Sequence, residues 1–189
     1  MQANTYDDAR SILQEIEEIR AETRHALKTC NWPWLLVWSL VFLGAALSVL
    51  IPVLNPIASN YWIGAVPVAL VITGVLDWRS STRTGVRRKA TPYWVIGAGM
   101  TVFGFGSSAL LPGSVTVVAI WVFMGAGFAG FLWLDGYRKA SSVLAHMAAF
   151  TALVGLFGSD PLMLYSILGI TYAAVMATIA VGIKFELVR

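Results

Sequence analysis

Charge is what this chain has least of: only 12% of its 189 residues are Asp, Glu, Lys or Arg, about half the share in a soluble domain. Cysteine is almost missing. Cys30 stands alone, which excludes an intramolecular disulfide and a thiolate-based metal site. Histidine occurs only at His25 and His146; His25 falls in a segment read below as cytosolic, so His146 has no second intramembrane imidazole and haem ligation is not expected. There is no HExxH, no Ser-His-Asp set at a common depth and no pair of intramembrane carboxylates. An enzyme is therefore not expected, and neither is a cofactor or a metal. The glycine clusters Gly97-x-Gly99, Gly104-x-Gly106 and Gly125-x-Gly127-x-x-Gly130 lack a following Lys-Ser or Lys-Thr and lie within apolar runs, so they are not phosphate loops; close helix packing is the expected role. The first 28 residues carry no apolar h-region, so no cleavable signal peptide is expected.

What is present is apolar sequence, 58% of the chain. A helix needs about 20 apolar residues to cross a hydrocarbon core of about 30 Å. Six stretches meet or approach that length: about 33–54, 59–78, 93–111, 114–135, 140–157 and 161–183. The expected fold is all-α, a polytopic membrane protein of six transmembrane helices. Residues 1–31 form a cytosolic amphipathic helix, 32–183 the membrane domain (hairpins 32–78, 92–135 and 140–183), and 184–189 a short cytosolic tail.

The few bases orient these spans. With the N-terminus inside, internal segments hold four bases in 1–30, five in 79–91, two in 136–139 and two in the tail, which accounts for all 13 Lys and Arg. The external turns hold none. The positive-inside rule then puts both termini in the cytosol of a multi-pass plasma (inner) membrane protein. The net charge of +3 reflects topology and lipid headgroups rather than nucleic-acid binding.

A repeat underlies the spans. Shifting the chain by 60 residues lays Trp34 on Trp94, Gly44 on Gly104, Ser48 on Ser108 and Pro52 on Pro112. Leu76-Asp77-Trp78-Arg79 corresponds to Leu134-Asp135-Gly136-Tyr137-Arg138. Units with an even number of spans repeat in parallel, unlike the inverted repeats of many transporters. Three hairpins in about 190 residues, glycines inside the odd spans and a proline at each external turn resemble the HdeD family of small bacterial membrane proteins. That family is associated with acid-stress resistance. The resemblance covers roughly residues 32–183 and is architectural; it implies six helices and assigns no functional residue. The N-terminal helix departs from it.

That helix carries the most distinctive pattern outside the membrane. Ile12, Ile16, Ile19, Thr23, Ala26 and Cys30 are spaced 4, 3, 4, 3, 4, a heptad seam with Leu13 and Leu27 beside it. Thr5 and Asp8 form a capping pair at its start. Packing on the cytosolic ends of its own bundle is the plainer expectation. The other is docking through Ile12, Ile16 and Ile19, onto a second copy or onto a cytosolic or membrane partner. Within the spans, Asp77 and Asp135 lie beside Arg79 and Arg138 at the cytosolic boundary, either as interfacial clasps or as a gate. His146 lies about two turns inside its span, and Trp38 and Trp121 are also internal; packing is the plainer role for the tryptophans. Two functions follow: a non-enzymatic membrane scaffold or regulatory subunit docking through the N-terminal helix, or a small channel or transporter for a small solute or protons, using Asp77, Asp135, His146 and Trp121.

Overall fold

The computed structural model describes residues 10–19, 32–58, 60–84, 90–111, 113–155, 160–185 and 187. Among them all regular structure is helical. Residues 10–19 form α1. The bundle follows as α2 (Trp32–Leu50), α3 (Tyr61–Thr84), α4 (Ala90–Leu110), α5 (Gly113–Leu134), α6 (Arg138–Gly155) and α7 (Pro161–Lys184), with two short helical turns at Pro52–Leu54 and Asn55–Ala58. Four of these, α2, the Tyr61–Thr82 part of α3, α5 and α7, are long and apolar enough to cross a membrane. The other two, α4 and α6, have 21 and 18 residues. The second of these opens on Arg138-Lys139. The Thr5–Asp8 cap, the Thr23, Ala26 and Cys30 end of the seam, Arg87–Lys89 and Pro112 lie outside the described residues.

The helix ends follow from local chemistry. Pro33 sits in the first turn of α2, where its missing N–H leaves no hydrogen bond unmade. Pro67 lies inside α3, which runs on as one helix to Thr84. After α5 the chain closes in a Schellman arrangement: Tyr137 N–H donates to Leu132 O at 2.8 Å and Gly136 N–H to Trp133 O at 3.0 Å. Gly136 takes φ +84 there, a left-handed conformation that glycine adopts without a Cβ penalty. The turn lets α6 begin at once and fold back on α5. At the start of α7, Asp160 caps the helix by accepting from Leu162 N–H at 2.8 Å, with Pro161 next in line. Asp160→Ala is expected to lower the thermal stability of the purified protein by about 1 kcal/mol, and Asp160→Asn to retain most of it, as read by unfolding in detergent.

Sequence neighbours do not all pack together. The closest pair is α2 with α7, followed by α5 with α6 and α5 with α4; α3 rests on α2, and α6 barely meets α7. The third expected hairpin is therefore split: α6 lies on α5, and α7 lies on α2. Gly169 explains the second contact. A Cβ there would stand 2.9 Å from the Ala46 Cβ and 3.2 Å from the Phe42 carbonyl oxygen, so only glycine permits this approach of the two backbones. Ser39 then donates its hydroxyl to Ala173 O at 2.8 Å, fully within the interface. Across α5 and α6, Ser141 similarly donates to Ala129 O at 2.8 Å. Lys184, at the end of α7, sets its ammonium 4.9 Å from the Trp32 ring centroid, so the first and last helices of the bundle also meet at their ends.

The glycine clusters divide by helix. Gly125 lies against the Tyr172 hydroxyl, Gly127 against Met100 and Gly130 against Ile96, so the α5 cluster does seat its neighbours. Gly97, Gly99 and Gly106 on α4 have open space where a Cβ would be, and close packing within this chain does not account for them.

Candidate functional site

The interior is a connected set of aromatic rings. It starts at one end of the bundle, where Tyr93 stacks on Phe131 at 5.9 Å and Trp34 stacks on Phe128 at 5.7 Å. Phe128 passes the contact to Phe42 at 5.6 Å and to Trp38 at 5.4 Å. Phe42 meets Trp121 edge-on at 5.2 Å. Trp121 stacks on Tyr172 at 5.2 Å and touches Tyr165 at 5.7 Å and Trp62 at 6.4 Å. Tyr61, at the opposite end, closes the series on Trp62 at 5.7 Å. Each such pair is worth about 0.5–1.5 kcal/mol beyond its buried area.

Most polar tips of these rings are satisfied. Trp62 Nε1–H donates to the Tyr165 hydroxyl at 2.6 Å, and Tyr61 donates to Val41 O at 2.9 Å. The Tyr172 hydroxyl lies 3.5 Å from Thr151 Oγ1. Trp121 is the exception: fully buried, with an Nε1–H that has no hydrogen-bond partner among the described residues. Trp38 is likewise packed, next to Phe42 and Phe128. Both internal tryptophans are thus buried among other rings.

The four residues of the channel reading are dispersed. Trp121 lies at the centre, enclosed by rings. Asp135 sits at the end of α5 and accepts the Tyr93 hydroxyl, while the Arg138 guanidinium stands 5.4 Å over the Trp133 ring. Asp77, its repeat counterpart, is exposed on α3. The repeat offers no second tyrosine, because position 93 falls on Pro33 at the shift of 60. His146 is exposed on α6, with Nδ1 2.7 Å from the Ser142 carbonyl of its own helix. Sequence inspection missed Tyr93 as the partner of Asp135. It also missed the convergence of Phe42, Tyr165 and Tyr172 on Trp121. The spacing of 165 and 172, two turns on one helix face, was the available signal.

Between α6 and α7, where the helices diverge, lies a cleft of about 220 Å³ lined by Phe150, Val154, Met163 and Leu168 among others. Its threonines, Thr151 and Thr171, donate to Met147 O and Ile167 O within their own helices. The cleft thus presents an apolar wall.

Outside the bundle, α1 is exposed at every described position, residues 10–19. Ile12 is 55% exposed, Leu13 62%, Ile16 39% and Ile19 56%. The described part of the seam therefore does not pack on the bundle, contrary to the plainer expectation. Three isoleucines and a leucine on one face of a charged helix form an uncovered apolar stripe.

No protein-family model, curated protein or solved structure matches this chain.

Proposed function

We propose that the protein is a non-enzymatic membrane scaffold or regulatory subunit. In this reading six helices span the inner membrane, both termini are cytosolic, and a partner docks on the N-terminal helix through Ile12, Ile16 and Ile19. The observation that carries it is the exposed stripe on α1. An apolar face in water is costly unless something covers it, and the bundle does not cover its described part. The architectural resemblance to the HdeD family belongs to this reading and adds no residue-level role.

The ring-filled interior supports a scaffold over a conduit. A channel or transporter built on Asp77, Asp135, His146 and Trp121 needs them around one path. Instead Trp121 is walled in by Phe42, Trp62, Tyr165 and Tyr172, while His146 and Asp77 face outward.

The test is affinity recovery of whatever the wild type holds from gently solubilised membranes. Ile16→Asp and Ile19→Asp are expected to abolish that recovery while leaving the amount of inserted protein unchanged. Unaltered recovery in both variants sinks the reading.

A further inference from the structure

The reading of α1 as a docking helix leaves its partner open, and the sequence of the same helix narrows it. We infer that the occupant of the Ile12–Ile16–Ile19 stripe is the same stripe on a second copy of this chain, paired parallel and in register. This inference rests on the docking reading above.

Three observations converge. The stripe is exposed along the whole described helix. Its 4, 3 spacing is that of coiled-coil core positions, with Ile16 at a and Ile12 and Ile19 at d. In that register the sequence puts Glu15 at g and, five residues on, Arg20, which lies outside the described residues, at e. A g residue in one strand faces the e residue five positions later in a parallel partner. Glu15 of each copy therefore meets Arg20 of the other, twice in a symmetric pair. Antiparallel pairing sets g against g and e against e, so these opposite charges no longer meet.

The membrane supplies the orientation. Copies inserted by one positive-inside rule point the same way, so their N-terminal helices emerge side by side and parallel. A seam shorter than three full heptads is marginal for free helices in water. Confinement to one plane with a shared direction removes part of the translational and rotational cost of association. Glu17 and Glu18 take the outer b and c positions, both exposed, and keep the outside of the pair soluble.

Disulfide trapping in native membranes tests this with the full chain. Cys30 is the only cysteine, so Cys30→Ser gives a thiol-free background. In it, Ile19→Cys on the seam is expected to form an oxidised dimer, and Glu17→Cys on the outer face is not. Adding Ile16→Asp should remove the Ile19→Cys dimer. Glu15→Arg should weaken it, and Glu15→Arg with Arg20→Glu should restore it. Wild-type Cys30, which continues the 4, 3 spacing in the sequence but lies outside the described residues, gives a second thiol without loss of an isoleucine.

A dimer from neither seam thiol, or equal yields from Ile19→Cys and Glu17→Cys, overturns the inference. If seam trapping fails while a different protein is recovered in an Ile16-dependent way, self-pairing is wrong and docking stands. If both fail, both readings fall.

Discussion

Trp121→Ala is expected to cost the bundle about 3 kcal/mol, at the lower end of the range for removing a buried aromatic, whereas Trp121→Phe stays within about 1 kcal/mol of wild type. Trp121 is the meeting point of Phe42, Trp62, Tyr165 and Tyr172, and hence of α2, α3, α5 and α7. Alanine removes all four contacts and leaves a void between helices that cannot collapse without separating from other neighbours. The cost falls at the low end because unassembled spans rest in lipid, not water. The water-transfer part of burial is then absent, and lost packing makes up the rest. Phenylalanine keeps one ring against Tyr172 and Phe42. It also deletes an Nε1–H with no partner among the described residues, and an unmade buried hydrogen bond costs about 1–3 kcal/mol. The lost volume and the removed donor therefore oppose each other. Thermal unfolding in a single detergent compares the two variants directly. Equal losses would contradict the central position assigned to Trp121.

Gly169→Val is expected to have a similar or larger effect by the opposite route. Its Cβ stands 2.9 Å from the Ala46 Cβ and 3.2 Å from the Phe42 carbonyl oxygen. The second of these is backbone and cannot swing aside, so α2 and α7 must separate. Overpacking usually costs about 1–3 kcal/mol, and this site belongs at the top of that range because separation also strains the Ser39–Ala173 hydrogen bond. Gly169→Ala should act in the same direction but less strongly, and Ala46→Gly should recover part of its loss by clearing the nearest atom. Gly97→Ala is the control: it meets open space and should leave unfolding unchanged or slightly later. If Gly169→Val and Gly97→Ala unfold alike, the α2–α7 contact is not as close as described.

The helices themselves are legible in the sequence. The apolar stretch at 161–183 became Pro161–Lys184 and 114–135 became Gly113–Leu134, because prolines, glycines and charges bound each run. Their neighbours are not. Spans that are apolar all round carry no stripe to separate a core face from a lipid face, so adjacency in sequence was the guide, and it suggested a third hairpin. The pairing of α7 with α2 rests instead on one glycine and one serine, Gly169 and Ser39, which look like many others in the chain. The exposure of Ile12, Ile16 and Ile19 was undecidable for a different reason: a heptad seam reads the same whether its cover is the same chain or another. The dispersal of His146 and Asp77 away from Trp121 likewise depends on helix rotation, which hydropathy does not encode.

The α2–α7 contact also sets an order of events during synthesis. Ser39 and Ala173 are 134 residues apart, and their helices are the first and the last of the bundle. As translation proceeds, the first span leaves the ribosome with Ser39, Phe42 and Ala46 prepared for a neighbour that is made last. Until then the Phe42 ring has Trp62 of α3 and Trp121 and Phe128 of α5 beside it, but Ser39 and Ala46 still lack the helix they are fitted to. Contacts so distant in sequence form late, so a chain stalled before Pro161 leaves its most tightly fitted surface open, an unassembled span of the kind that cellular quality control removes.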